Sequence, residues 1–278
     1  MMTAAEAMVA ATARLRAAGV PDPARDARIL LAHAAKVDAA RVTLIAPEAI
    51  SEDIEERYDQ LISLRAIRVP VSHLVGEREF YGRRFKVSRD VLDPRPETET
   101  LIEAALSAPF ARVLDLGVGS GAILVTLLSE NQEAVGLGVD LSAAACLQAS
   151  ANAVLHRVHK RADILQGNWF ALVEGRFDLI VANPPYLAAS EMEEVAPELR
   201  EHEPRMALTD EGDGLSAYRT IAGAAQDYLE PSGRVLVEIG WQQKDVVTQI
   251  FAQAGWGEVS CLCDLGGRDR VILAKGPA

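Results

Sequence analysis

Arg112-Val113-Leu114-Asp115-Leu116-Gly117-Val118-Gly119-Ser120-Gly121-Ala122 is the stretch that decides the fold. A short apolar run ends in an acid, a Gly-rich turn follows, and Ile123 to Leu128 continues with helical texture. Glycines let a chain turn sharply from strand to helix and bring bare backbone against a ligand. Outward from this unit the same alternation recurs to the C-terminus. AVGLGVDLS (134–142), ADILQGNWF (162–170), FDLIVANPPY (177–186), GRVLVEIG (233–240), VSCLCDL (259–265) and RVILAKG (270–276) are apolar runs, with helical patterns between most of them. Such alternation predicts an α/β fold, a doubly wound and mostly parallel seven-stranded sheet with helices on both faces. The link through Gly266-Gly267 predicts that the last two strands form an antiparallel hairpin.

Upstream the texture is different. Residues 3–18, the run from Ala24 to Ala35 after Pro21-Asp22-Pro23, and the run from near Ser51 to Arg68 read as helices. Ile29, Leu30 and His33 fall on one face of the second. The third has acids in its first turn and Arg65 and Arg68 in its last, as the helix dipole prefers, and Pro70 stops it. HLVGEREFYGRRFKVSRDVLD (73–93) holds two β-prone runs around Gly82 and reads as a hairpin. The predicted organisation is a small helical domain over 1–72, a hairpin linker over 73–96, and the α/β domain over 97–278.

Composition narrows the function classes. The 278 residues are 49% hydrophobic and carry a net charge of −12, with −2 over residues 1–108 and −10 over the remainder. A protein that lives on nucleic acid needs clustered Lys and Arg, so no stable nucleic-acid partner is expected. The basic run Arg83-Arg84-Lys86-Arg89 reads as a solvated hairpin face. No apolar run approaches the ~18 residues needed to span a bilayer, so no membrane partner is expected. Three cysteines without a C-x-x-C pair read as buried free thiols in a reducing cytoplasm. The five histidines show no metal-ligand spacing, so no metal is expected.

A parallel sheet binds ligands beyond the carboxyl ends of its strands. Gly117, Gly119 and Ala122 formally meet a dinucleotide fingerprint, which keeps a nicotinamide oxidoreductase open. Asp115 argues otherwise. A carboxylate at the mouth of the loop would repel a pyrophosphate and attract a cation such as the sulfonium and amino groups of S-adenosylmethionine. Asp140 closes the second strand, where an acid takes ribose hydroxyls. Trp169 offers a flat apolar surface for an adenine.

Asn183-Pro184-Pro185-Tyr186 is the reactive motif. Prolines fix φ and donate no hydrogen bond, so the turn is rigid and its carbonyls are free to accept. The Asn183 side-chain oxygen and the Pro184 carbonyl can each accept one hydrogen of a single amino group, and Tyr186 can stack on the planar system that carries it. Two such acceptors aim a poorly nucleophilic nitrogen at an electrophilic methyl. The same site serves a carboxamide or the exocyclic amine of an extruded base.

Asn-Pro-Pro-Tyr after the fourth strand and Asp-x-Gly-x-Gly-x-Gly after the first resemble the S-adenosylmethionine-dependent amino methyltransferases. PRPETE (94–99), HLVGEREFYG (73–82), HEPRMAL (202–208), DGLSAYRTI (213–221) and the helical N-terminal domain are similar to the HemK/PrmC family. The resemblance implies a class I, Rossmann-like methyltransferase that methylates the glutamine of the Gly-Gly-Gln loop in class-1 peptide chain release factors. An adenine-N6 DNA or RNA methyltransferase is the alternative. S-adenosyl-L-methionine is the implied cofactor and S-adenosyl-L-homocysteine its product. Asp115, Gly117, Val118, Gly119, Ser120, Gly121, Asp140, Trp169 and Asn183 are the expected cofactor contacts. Asn183, Pro184, Pro185 and Tyr186 are the expected glutamine site, with Asn183, Pro184 and Tyr186 catalytic. The family often has an acid where Asn168 stands. The protein is expected to act as a cytoplasmic monomer.

Overall fold

The computed structural model describes residues 2–276. In chain order its helices and strands are α1 (Ala4–Ala17), α2 (Pro23–Ala35), α3 (Val42–Ile45), α4 (Glu52–Ala66), α5 (Val71–Val75), β1 (Glu77–Phe80), β2 (Arg83–Lys86), α6 (Glu99–Leu106), β3 (Arg112–Leu116), α7 (Ala122–Glu130), β4 (Val135–Asp140), α8 (Ala143–Leu155), β5 (Ala162–Gln166), β6 (Phe177–Ala182), α9 (Pro197–His202), α10 (Ser216–Ala224), β7 (Leu229–Glu238), α11 (Lys244–Gln253), β8 (Glu258–Cys263) and β9 (Asp269–Lys275). The chain divides into two compact units, one of residues 1–77 with 196–202 and the other of 78–195 with 203–278.

The first unit is helical because its apolar residues recur at helical spacing and its ends are capped. Thr3 and Glu6 form a capping box at α1, with the Thr3 N–H donating to Glu6 Oε2 at 2.8 Å. Ser51 caps α4 through the Ile54 N–H. Ala27, Leu30, Leu31 and Ala34 make the buried face of α2, packed with Leu15, Tyr58 and Ile62. His33 lies exposed off that face, because the apolar stripe is set one residue later than the Ile29, Leu30, His33 reading placed it. Pro70 ends one helix but also caps α5, so helix continues to Val75, and the first compact unit runs on to Glu77. Arg65 is buried and bonds Asp26 at 2.7 Å and Glu198 at 3.0 Å, and Arg68 reaches the other oxygen of Glu198 at 2.7 Å. The chain thus returns α9 to the helical unit long after leaving it, which no local sequence signal announced.

The second unit is the expected doubly wound sheet. Its seven strands run in the order β5-β4-β3-β6-β7-β9-β8, parallel except where β9 pairs antiparallel with β7 and β8. Alternate residues of the central strands feed two cores. Val113, Leu179, Val181 and Leu236 face one side with α6 and α7. Leu114, Leu116, Ile180, Val235 and Val237 face the other with α10 and α11. On β4, Gly136 and Gly138 share the face toward α7. A Cβ at Gly136 would meet Leu124 at 2.5 Å, and one at Gly138 would meet Val118 at 2.7 Å. The strand omits side chains there so that α7 and its preceding loop lie close against the sheet.

The hairpin β1–β2 belongs to this unit and buries Phe80 and Phe85 in the first core. Buried Asn152 on α8 ties it to the Gly-rich loop. Its Oδ1 accepts from Lys86 N at 2.8 Å, and its Nδ2 donates to Lys86 O and to Ser120 O. The cysteines correct one expectation. Cys146 on α8 is half-buried, and on β8 Cys261 is half-buried and Cys263 exposed because that strand is an edge of the sheet.

Candidate active site

The carboxyl ends of β3, β4 and β6 open into a cavity of about 300 Å³. The loop after β3 forms its floor. Gly117, Gly119 and Gly121 have φ of 79°, 53° and 81°, a region that favours glycine, so the loop curls as the spacing requires. Gly117 N and Val118 N donate to Val139 O at 2.8 and 3.0 Å. Gly119 N donates to Asp140 Oδ2 at 2.9 Å, while Asp140 Oδ1 accepts from Ser142 N at 2.9 Å. One carboxylate at the end of β4 thereby holds the loop from β3 and the start of α8 in register, and it lines the cavity itself.

Gly117, Val118, Gly119, Ser120, Asp140, Trp169, Asn183 and Pro185 all line this cavity, brought together from four strand ends. Asn168 lines it as well. Trp169 is held at φ 51°, a conformation a bulky residue rarely adopts, in the turn after β5. Two expected contacts are placed elsewhere. Asp115 is wholly buried and does not line the cavity, because it shares the sheet face of Val113 and points at α7. Its Oδ2 accepts from Leu124 N at 3.1 Å, and its Oδ1 has no partner among the described residues. Burial, opposed by the Leu124 bond and reinforced by Asp140, pushes its carboxyl up to about 7. Gly121 also lies outside the lining. A Cβ there would come within 3.1 Å of Ala149 Cα, so its place is the close approach of α7 to α8.

The reactive turn is braced by segments distant in sequence. Pro184 is buried, and Tyr186 is half-buried against the second core; neither lines the cavity. The Tyr186 carbonyl accepts from Gln243 Nε2 at 2.8 Å. The Gly240 N–H donates to Gln243 Oε1 at 3.0 Å. Gly214 packs so tightly on the turn that a Cβ would stand 2.3 Å from Tyr186 O. Asp210 shapes the Gly214 loop by accepting from the Gly212, Gly214 and Ser216 N–H groups at 2.9, 2.9 and 3.0 Å. Burial would raise its carboxyl, but the Ser216, Gly212 and Gly214 bonds outweigh that and hold it far below the usual range. At the β6 end, Asn183 Nδ2 donates to Thr98 Oγ1 at 3.2 Å.

Several lining residues escaped the motif reading. Phe80, Arg95, Thr98, Met206, Thr209 and Asp210 come from the segments before α6 and after α9. Arg95 bonds both oxygens of buried Glu203, at 2.6 and 2.7 Å, which stitches the two segments together. The signals for Phe80, Arg95, Thr98 and Met206 were HLVGEREFYG, PRPETE and HEPRMAL, whose spacing carries no chemistry by itself; Thr209 and Asp210 fall outside those segments.

The lining suits a cation. Asp90, Asp93, Asp140 and Asp210 face the cavity against Arg95 as the one basic side chain among the described lining residues. A pyrophosphate would meet this acidic wall, whereas a sulfonium with an amino group and a ribose finds acids and bare loop backbone. The residues therefore fit S-adenosylmethionine better than a dinucleotide. Among the described residues, no group of three or more His, Cys, Asp or Glu could hold a metal ion, and no helix is long and apolar enough to cross a membrane.

Comparison with known proteins agrees with this geometry. Residues 6–76 match the family model of the PrmC N-terminal domain, and residues 87–215 match that of the methyltransferase small domain. A release factor glutamine methyltransferase of Cereibacter sphaeroides is 52% identical over 277 residues, covering 100% of both chains. One of Caulobacter vibrioides is 40% identical over 99% of this chain and 98% of its own. A bifunctional methyltransferase of Rickettsia conorii is 35% identical over 95% of this chain and 56% of its own. Among solved structures, the hMettl16 catalytic domain superposes with a TM-score of 0.60 at 14% identity, over 78% of this chain and 82% of its own. A methyltransferase from Pyrococcus furiosus does so at 0.55 and 16%, over 71% and 91%. At such identities these two share the fold.

Proposed function

The chain belongs to the release factor glutamine methyltransferase family, and from that membership we propose that it methylates the side-chain amide nitrogen, N5, of the glutamine in the Gly-Gly-Gln loop of class-1 peptide chain release factors. It is an S-adenosylmethionine-dependent methyltransferase. The cofactor, when bound, supplies an electrophilic methyl and leaves as S-adenosylhomocysteine. The observation that carries the reading is Asn183, which stands at the end of β6 in the same cavity as the Gly-rich loop and Asp140.

In this reading Asp140 takes the ribose hydroxyls, Gly117 to Ser120 present backbone to the cofactor, and Trp169 flanks the adenine. Asn183 Oδ1 and the Pro184 carbonyl each accept one hydrogen of the glutamine amide, and Tyr186 packs on its plane. Holding both hydrogens turns the nitrogen lone pair toward the methyl and stabilises positive charge as it develops on nitrogen. The alkylated nitrogen is acidic and sheds its proton late, so no strong base is required. Tyr186 does not serve as one, because burial and the nearby Glu238 push its hydroxyl up to about 12.

The adenine alternative would use the same turn but needs a basic track for phosphates. Arg83, in the basic run 83–89, is paired with Glu130. The partner in this reading is the release factor alone, met by a monomer in the cytoplasm. The test is the mass of the release-factor peptide carrying Gly-Gly-Gln after incubation with S-adenosylmethionine. One added methyl on the glutamine is the expected result. Methyl transfer to nucleic acid with none to the glutamine rejects the reading.

A further inference from the structure

Asn183 can accept a hydrogen only if its amide oxygen faces the substrate, and an amide can sit either way round. We propose that Thr98 and Glu238 set that direction: they form a relay behind Asn183 that turns its NH₂ inward and leaves its oxygen for the substrate. The proposal rests on the function assigned to the cavity above and adds two positioning residues to it.

The relay follows from donor and acceptor counts. Asn183 Nδ2 donates to Thr98 Oγ1 at 3.2 Å, and the Glu238 carboxylate is a neighbour of the Thr98 hydroxyl, which favours its charged form. Thr98 and Glu238 are both buried, Glu238 almost completely, and Glu238 Oε2 has no partner among the described residues. An ionised carboxylate can only accept. The single hydroxyl hydrogen of Thr98 is then committed to Glu238, and Thr98 has only lone pairs left for Asn183. The Asn183 NH₂ must face Thr98, and Oδ1 is directed away from it. A protonated Glu238 reverses the logic. It can donate to Thr98, whose own hydrogen is released to point at Asn183. The amide can then turn over and present NH₂, a donor, to a substrate NH₂ that needs an acceptor.

The groups facing Glu238 are Arg270 of β9, Arg95 and Glu97 before α6, Tyr186 of the reactive turn, and Tyr218 of α10, whose hydroxyl donates to the Glu238 main-chain oxygen at 2.9 Å. Arg270 is itself paired with Asp264 at 3.2 Å. Burial dominates. Opposed by Thr98, Arg270 and Arg95 and aided by Glu97, it pushes the Glu238 carboxyl up to about 7. The relay therefore switches near neutral pH. The correct Asn183 direction is present above that value and lost as pH falls through it. PRPETE thereby acquires a role, since it delivers Thr98 to the space between the ends of β6 and β7.

The experiment is single-turnover methyl transfer to a release factor at saturating cofactor, from about pH 6 to about pH 8.5. The parent rate is expected to rise with pH through one ionisation near 7. Glu238→Gln is expected to abolish that rise, because a neutral amide replaces the titrating group. Thr98→Val is expected to slow transfer about tenfold or more with cofactor affinity unchanged, and Thr98→Ser, which restores the hydroxyl, to recover most of it. The Thr98 pair decides the matter even if Glu238→Gln does not fold. A Glu238→Gln enzyme that keeps the parent's pH step, or a Thr98→Val enzyme as fast as Thr98→Ser, overturns the relay. A parent that leaves the glutamine unmethylated overturns the functional reading instead, so the two failures are separable.

Discussion

Asn183 and Asp115 show how differently two motif residues can act once folded. Asn183 reaches the cavity, and Asn183→Ala is expected to keep cofactor binding but slow methyl transfer roughly 100-fold, because the amide loses one of two acceptors. Isothermal titration with the cofactor, set beside single-turnover rates, checks both halves. Asp115 is turned into the protein, and its effect is on stability. Its carboxyl is raised to about 7 by burial, so the folded state holds its proton over a range where the unfolded chain has released it. Stability from this group is present below the ordinary carboxylate value and is lost as pH rises through about 7. Asp115→Asn removes the titration. Relative to the parent it should gain roughly 2 kcal/mol between about pH 5 and about pH 8, read by urea unfolding. A constant difference across that range would mean that Asp115 does not titrate there. Of the expected site residues, Gly117, Gly119, Asp140 and Asn183 line the cavity because a parallel sheet gathers its strand ends. Asp115 and Gly121 do not line it, because a one-dimensional motif does not say which side of the loop a residue faces.

At the level of elements, strand composition proved informative in a way that hydropathy alone does not convey. Gly136 and Gly138 leave a bare face on β4, and α7 fills it. Gly138→Ala would put a methyl 2.7 Å from Val118 Cγ2, in the first turn of the cofactor loop. The expected cost is about 1–3 kcal/mol, with weakened cofactor binding because the loop must shift. Thermal unfolding and a cofactor titration on the same variant check it; an unchanged affinity would show that the loop absorbs the methyl elsewhere. The seven strands and their antiparallel end were readable from apolar runs and turn residues. The buried face of α2 was shifted by one residue, since neighbouring apolar positions fit two overlapping helical stripes until tertiary contacts choose between them. Thr98, Arg95 and Met206 were not readable as site residues. They sit in connecting segments whose position is set by long-range bonds such as that between Arg95 and Glu203.

For the whole molecule, the least legible feature is the path between β6 and α10. Having built the reactive turn, the chain contributes residues 196–202 to the helical unit and then comes back to line the cavity. Glu198 is the anchor of that detour. Burial alone would raise its carboxyl, but the bonds from Arg68 and Arg65 outweigh it and hold it below its usual value. Its contribution is therefore present above the ordinary carboxylate range and lost on acidification. Glu198→Gln should lower the melting temperature of the helical unit by several degrees near neutrality, with the difference closing in acid. Hydrogen exchange of the α4 amides, followed with pH, is the measurement; equal protection in both proteins would remove Glu198 from the account. Gly214 and Gln243 carry the last consequence. They clasp the Tyr186 carbonyl from 28 and 57 positions downstream. The four letters Asn-Pro-Pro-Tyr are a casting, and its mould lies in other parts of the chain. Transplanted alone onto a foreign sheet they would set in another shape, and damage to the mould would silence the enzyme while leaving every letter of its signature intact.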